Sequence, residues 1–367
     1  MNVPKLRFKE FNDEWDYKTF DELINIKSES YNPSLNKENY KCIELEHINQ
    51  NTGTINGYCN SQDQKSNKNI FKKNEVLFGK LRPYLKKYWY ATFDGVCSSE
   101  IWVGKSKNQN IVTNKFIYDL FQSHYFLQLC NLSTGSKMPR ADWSFIKEQS
   151  IAIPNILEQK KISDTLELLD KKIELQSKKI EDLKLFKKGL STTIFNSLRD
   201  FEEYKLGKIC NITTGKLDAN AMIDNGKYRF YTCAKEYSLI DKYAFDTEAL
   251  LISGNGAYVG YIHYYKGKFN AYQRTYVLDN FSQNIQFIKC YLEENLAKRI
   301  NSEKKKGNTP YIVLSTLSDM VIKIPSKENQ IKISNIINCH NKKIELEENK
   351  LLKLQELKKG LMQSMFV

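Results

Sequence analysis

Two stretches of this chain decide its fold: "PNILEQKKISDTLELLDKKIEL" at 154–175 and "PSKENQIKISNIINCHNKKIEL" at 325–346. They begin repeats that continue through "LKLFKKGLSTTIF" and "LQELKKGLMQSMF". A constant step of 171 residues (154 to 325) aligns 154–195 with 325–366 without a gap, and 17 of the 42 positions are identical. Pro154 and Pro325, Gln159 and Gln330, the Lys-Lys-Ile-Glu-Leu blocks and the Lys-Lys-Gly-Leu blocks coincide. Chance does not produce such a match. The chain is two copies of one unit, each a variable segment followed by a shared tail.

The tails carry the periodicity of long helices. Ile162, Leu166, Leu169, Ile173, Ile180, Leu183, Leu190 and Ile194 recur in steps of four and three, and Ile333, Ile337, Ile344, Leu351, Leu354, Leu361 and Met365 keep the same phases. A proline just upstream of each suits a helix start. Each tail therefore predicts a helix of about 40 residues, roughly 60 Å long. A stripe this narrow needs a partner. Antiparallel packing of the two copies supplies it and implies a pseudo-twofold repeat. Gln176, Lys187, His340, Glu347 and Lys358 interrupt the stripe, and are read as edge residues that tune register.

Residues 1–153 and 200–324 read as mixed α/β segments. Short β-branched and aromatic runs such as "EVLFGK", "SEIWVG", "ALLISG" and "RTYVLD" alternate with turn residues, and helical stretches follow at 115–131 and 284–301. The expected architecture is α+β: two mixed α/β domains, 1–153 and 200–324, with two long spacer helices, 154–199 and 325–367, packed as an antiparallel coiled coil.

Composition narrows the function. Lys and Arg number 56 against 43 acidic residues, a net charge of +13. That excess favours an anionic partner, although an AT-rich genome also yields lysine-rich proteins. Eight cysteines show no C-x-x-C spacing, and there are only four histidines. Neither a zinc site nor a disulfide framework is suggested, and reduced thiols are expected. No signal sequence opens the chain, and no apolar run reaches the ~18 residues that span a bilayer. A cytoplasmic protein with no membrane partner is expected.

The segments "EVLFGKLRPYLKKYWYATFDGVCSSEIWV" (75–103) and "EALLISGNGAYVGYIHYYKGKFNAYQRTYVL" (248–278) resemble the target recognition domains of type I restriction-modification specificity subunits. The tails are similar to that family's spacer regions, from the Ile-Pro before each helix to the Lys-Lys-Gly-Leu close. The likeness covers essentially the whole chain in the order domain, spacer, domain, spacer. It implies a non-catalytic subunit that reads a two-part double-stranded DNA target, one half per domain, with the helices as a ruler. It also implies two methyltransferase subunits and, in the full complex, restriction subunits as partners. No cofactor belongs to this chain on that view; S-adenosylmethionine, ATP and Mg sit on the partners.

DNA contacts are expected at Lys80, Arg82, Lys86, Lys137 and Arg140 in the first half, where "GKLRPYLKK" offers a phosphate track. In the second half the candidates are Asn255, Gln273, Arg274, Lys304, Lys305, Lys306 and Asn308. The Asn- and Gln-rich stretch 46–69 is a candidate sequence-reading loop, since both amides can pair with adenine. Gly254-Asn255-Gly256 superficially suggests a cofactor loop. A strand-like run follows it rather than a helix, so a turn between strands is the better reading.

Asn308-Thr309-Pro310-Tyr311 differs by one residue from Asn-Pro-Pro-Tyr, the tetrad with which amino-methyltransferases hold a flipped adenine. The step of 171 places Pro310 on Pro139, in "GSKMPRADW", which has no matching Asn or aromatic. A turn near DNA accounts for it better than a methylation site. A self-contained adenine methyltransferase and a coiled-coil scaffold are the competing functions: the first lacks a convincing cofactor domain, and the second leaves the duplicated basic domains unexplained.

Overall fold

The structure is a computed structural model describing residues 4–36, 38–132, 138–303 and 311–366. The chain forms two compact units, Met1–Ser177 with Asn349–Val367, and Lys178–Glu348.

In the first unit, strand Asp16–Thr19 pairs antiparallel with Ser150–Ile153, the strand that leads into the first long helix. Thr19 then caps the short helix Phe20–Leu23, its hydroxyl accepting from the Glu22 amide while the Glu22 carboxylate accepts from Thr19. A four-stranded sheet runs Ile24–Asn25, Ile101–Ser106, Val76–Gly79, Tyr88–Tyr90. A five-stranded sheet runs Ser30–Tyr31, Lys68–Phe71, Gly95–Ser98, Lys41–Ile43, Cys59–Asn60. Helices Asn114–Gln122 and His124–Leu132 are separated at Ser123, whose extended backbone breaks the single helix expected there. Phe20, Phe78, Phe116, Phe121 and Phe126 are fully buried in this core.

In the second unit, strand Glu202–Lys205 pairs antiparallel with Val321–Ile324 in the corresponding way. Its six-stranded sheet runs Asn211–Thr214, Thr275–Asp279, Phe245–Ser253, Ile262–Ala271, Tyr228–Tyr231, Ser238–Ile240. Helix Ile285–Glu303 packs Phe287, Leu292 and Leu296 against Leu250, Ile252 and Leu278 of that sheet.

The ladders of the two units match residue for residue. Phe71 opposes Gly95 and Gly79 opposes Ile101 in the first; Phe245 opposes Phe269 and Ser253 opposes Thr275 in the second. A step of 174 relates every one of these positions (71 to 245, 79 to 253). The first unit breaks each of two long strands in the middle, at 72–75 and 91–94, where the second unit runs straight through. Its two sheets are thus the second unit's single sheet, interrupted.

The long helices span Ile156–Asn196 and Lys327–Ser364. Their stripe positions are buried or half-buried throughout. In the first unit Ile162 and Leu166 of one helix share a core with Met362 and Met365 of the other, and Phe116 stacks on Phe366 with centroids 5.6 Å apart. In the second unit Lys179 pairs with Glu347 at 3.0 Å and Phe186 packs on His340 at 5.2 Å. Rising numbers on one helix meet falling numbers on the other, so the packing is antiparallel. Lys358 meets Asp170 at 2.6 Å and Lys187 meets Glu293 at 3.8 Å, which gives these polar interruptions ion-pair partners.

The shared glutamines have a common task. Gln159 accepts from the Thr113 amide at 3.1 Å and donates to the Pro154 carbonyl at 2.9 Å. Gln330 accepts from the Asn284 amide at 3.0 Å and donates to the Pro325 carbonyl at 2.9 Å. Both are buried. Each ties the start of a long helix to the helix start of its own α/β segment, and a buried amide left unpaired there would be costly.

Candidate nucleic-acid interface

In the first unit the sheet ladder ends at Gly79, and the chain turns back on itself. The Gly79 amide donates to the Lys87 carbonyl at 2.9 Å, the Lys80 amide to the Glu100 carbonyl at 3.0 Å, and the Leu85 amide to the Arg82 carbonyl at 2.9 Å. Pro83 opens the single 3-10 turn Pro83–Leu85, which it favours by its fixed φ. Arg82 and Lys86, on either side, are both left-handed, with φ of 52° and 50°. That conformation costs a residue with a Cβ about 1 kcal/mol or more. Both side chains face solvent. Among the described residues neither side chain has a hydrogen-bond or ion-pair partner, so two basic side chains in a disfavoured backbone state stand open to solvent.

The segment leading back to the first long helix is laced against this turn. Arg82 donates its amide to the Pro139 carbonyl at 2.7 Å, and Ala141 donates to the Lys80 carbonyl at 2.9 Å. Arg140 is thereby brought to Glu100, which it grips with Nε at 3.0 Å from Oε2 and Nη2 at 3.1 Å from Oε1. Part of the Asn/Gln-rich loop also arrives here, for the Asn51 amide donates to the Lys86 carbonyl at 2.9 Å and Gln50 bridges Lys87. Gln50 and Asn51 are exposed. Asn49 and Asn56 instead hold the loop together, donating to Thr54 and to the Glu46 carbonyl.

The second unit builds the same turn from different residues. The Ser253 amide donates to the Tyr261 carbonyl at 3.0 Å, Gly254 to Arg274 at 2.9 Å and Val259 to Gly256 at 3.2 Å. Each bond sits 174 residues beyond its first-unit counterpart. The left-handed positions follow: Gly256 (φ 80°) stands where Arg82 stands, and Gly260 (φ 82°) where Lys86 stands. Gly254 is required by contact rather than by φ, since a Cβ there would lie 2.4 Å from the Arg274 carbonyl oxygen. The returning segment docks likewise, with Ile312 donating to the Gly254 carbonyl at 2.8 Å. Tyr311, 61% exposed, occupies the place of Arg140.

The sequence-predicted residues therefore gather at one turn in each unit. Lys80, Arg82, Lys86 and Arg140 surround the first; Asn255, Gln273 and Arg274 surround the second. Arg274 is exposed, and Gln273, also exposed, donates to Asp218 at 2.6 Å. Lys137, Lys304, Lys305, Lys306 and Asn308 lie outside the described residues. Lys87 is turned inward to the Leu45 carbonyl, and burial pulls its pKa down. Among the described residues no cluster of His, Cys, Asp and Glu could hold a metal ion, and no helix is long and apolar enough to cross a membrane.

A second feature seats a cation on aromatic rings in each unit. Lys41 lies over the rings of Tyr58 and Phe93, 4.7 Å from each centroid. Arg229 lies over Tyr237 at 4.3 Å and Tyr265 at 4.6 Å. Beyond the tyrosine that precedes each cation, Tyr40 and Tyr228, the adjoining strand residues differ, and strand pairing reveals their relation.

Comparison with known proteins defines the class. The type I restriction modification DNA specificity domain matches residues 12–185 and again 199–356. The chain belongs to the type I restriction-modification DNA specificity family. It is 35% identical over 165 residues to the EcoDI type I restriction enzyme specificity subunit of Escherichia coli, covering 45% of this chain and 36% of that protein. It is 28% identical over 157 residues to a type I specificity subunit from Mycoplasma pneumoniae, covering 41% of this chain and 64% of that protein. The matches thus span about a third and just under two thirds of those relatives. In fold it is similar to the type I restriction-modification S subunit of M. genitalium, with a TM-score of 0.67 at 20% identity over 100% of this chain and 99% of that one. A chain from a study of complex assembly and conformational transition in a type I system gives 0.61 at 16% identity, over 95% and 96%.

Proposed function

We propose that this chain is the DNA-reading subunit of a type I restriction-modification complex, each unit contacting one half of a two-part duplex target. The observation that carries this reading is the duplicated turn: one backbone design appears twice, with solvent-facing Arg82 and Lys86 in one copy and Arg274 beside the other. Identical scaffolds with different side chains suit two readers of different half-sites. The net charge of +13 supports a polyanionic partner. Lys80, Arg82, Lys86, Lys137 and Lys304–Lys306 then act on phosphates, while Asn255, Gln273, Arg274 and Asn308 face bases or phosphates.

On this reading the chain contributes no catalytic group. Two methyltransferase subunits dock on it and supply S-adenosylmethionine chemistry; restriction subunits, with ATP and Mg, complete the assembly in the cytoplasm. Leu157, Leu168, Leu175 and Leu185, exposed on the first long helix, offer apolar surface for such partners.

Methylome sequencing of cells that express this chain with its methyltransferase partner tests the proposal. A split motif with a fixed gap is expected. A single contiguous motif, or methyl transfer from labelled S-adenosylmethionine by the purified chain alone, overturns it.

A further inference from the structure

Lys41 and Arg229 stand at the same point of the fold. Lys41 opposes Asn60 across its hairpin, and the tyrosine it covers, Tyr58, lies two residues before that partner. Arg229 opposes Leu239, and its tyrosine, Tyr237, again lies two residues before. On the other side both strands have a parallel neighbour, where Cys42 aligns with Val96 and Phe230 with Asn270, the same step of 174 that relates the two turns. The first unit has Lys-Cys-Ile on this strand, the second Arg-Phe-Tyr. The cation, the tyrosine it covers and the tyrosine before it (Tyr40, Tyr228) persist.

The pair is built for an outside ligand. Tyr58 and Tyr237 are 49% and 44% exposed. Among the described residues neither cation has a carboxylate within ion-pair distance; Arg229 bonds only the Tyr231 hydroxyl, at 3.4 Å. Seating on a ring fixes a long flexible side chain while its N–H groups stay available as donors. The strands also run toward the candidate DNA-facing turns, since Tyr231 pairs with Ala271, two residues before Gln273, and Ile43 pairs with Cys97, three before Glu100.

We propose that Lys41 on Tyr58 and Arg229 on Tyr237 are a matched pair of phosphate clamps, one per unit, that grip the DNA backbone beside the base-reading turns. Two arguments select phosphate over bases. A device kept in both units, when their turns differ in nearly every side chain, serves what the two half-sites share, and that is the backbone. The exchange of Lys for Arg at one structural position also fits a point-charge contact, whereas bidentate reading of guanine favours Arg.

The inference rests on the DNA-reading function proposed above, and one experiment separates the two. The full chain is titrated with a fluorescent duplex of mixed sequence at a series of salt concentrations, as wild type, Lys41→Met, Arg229→Met and the double variant. Met keeps an apolar stem over the ring and removes the charge. The slope of log affinity against log salt should fall by about 1 for each cation lost and by about 2 in the double variant. Lys41→Arg and Arg229→Lys should keep the wild-type slope. If a Met variant melts early, Lys41→Gln and Arg229→Gln carry the same comparison. Wild-type binding with a steep slope that the charge-removing variants leave unchanged overturns the clamp alone, and makes the pairs structural. Wild-type binding that ignores salt overturns the DNA-reading function itself.

Discussion

The guanidinium of Arg140 straddles the carboxylate of Glu100, one nitrogen on each oxygen, at 3.0 and 3.1 Å. This occupies the one arginine of the returning segment and places an acid beside the exposed Arg82 turn. Where Glu100 stands in the first unit, the second has Arg274. Glu100→Gln should therefore remove a negative charge beside the turn, tighten binding to duplex of any sequence and steepen the salt slope. Weaker binding with the fold intact would show that the ion pair holds Arg140 in its DNA-bound position. Thermal stability should change little, as Arg140 is half exposed and Glu100 still reaches solvent.

Arg82 and Gly256 share one left-handed position, so they can be exchanged. Arg82→Gly removes the conformational cost but adds backbone entropy to the unfolded chain, and urea unfolding should stay within about 1 kcal/mol of wild type. Duplex affinity should fall. Gly256→Arg should cost about 1–2 kcal/mol of backbone strain, because among the described residues no atom lies within 4 Å of a Cβ built there. It should raise non-specific affinity. Gly254→Ala is a different matter: its Cβ would strike the Arg274 carbonyl, and the loss should exceed that at Gly256.

Ile344 is 8% exposed in the seam of the second unit. Ile344→Ala should cost about 2 kcal/mol in urea unfolding, and Ile344→Asp more, because the seam offers a new carboxylate only the neighbouring glutamates and lysines at its rim. Equal stability of the Ala and Asp variants would mean the seam is open to water at this level.

The seam of the first unit predicts a pH dependence. Burial raises the Asp119 carboxyl from an ordinary 3.8 to about 7; a hydrogen bond from Ser163 and the nearby Lys358 and Lys115 oppose the shift, and Asp170 adds to it. Below pH 4 the group is neutral folded and unfolded, and costs nothing. Between about 4 and 7 the unfolded chain has lost the proton while the native state keeps it, so this group's contribution makes stability fall as pH rises, and the penalty is complete above 7. Asp119→Asn should flatten that part of the profile in denaturant midpoints measured from pH 4 to 8. An unchanged slope would assign the dependence to other groups.

What the sequence made legible follows from how each element encodes itself. The long helices announce themselves because a seam demands apolar residues at fixed spacing, and Ile162, Ile180 and Ile344 cannot be exchanged freely. Gln159 and Gln330 repeat because each must satisfy a buried helix start and a proline carbonyl at once. The turns were located through Lys80, Arg82 and Arg274, but their identity to one another was hidden. Left-handed geometry can be met by glycine at 256 or by a strained arginine at 82, and the step between units shifts from 171 in the tails to 174 in the sheets. The cation–tyrosine pairs were out of reach for a deeper reason. Lys41 meets Tyr58, and Arg229 meets Tyr237, across strand registers that no local pattern records.

The membership of the two units bears on how the protein is made. The second unit is continuous, Lys178–Glu348, whereas the first needs Asn349–Val367 to place Met362, Met365 and Phe366 in a core begun by Phe116. On the ribosome, then, the half synthesised first must wait for residues 349–367 to emerge, and the half synthesised second can close before it. A chain halted near residue 348 would carry one finished reader and one with its hydrophobic centre unsealed, a state for chaperones and proteases to recognise.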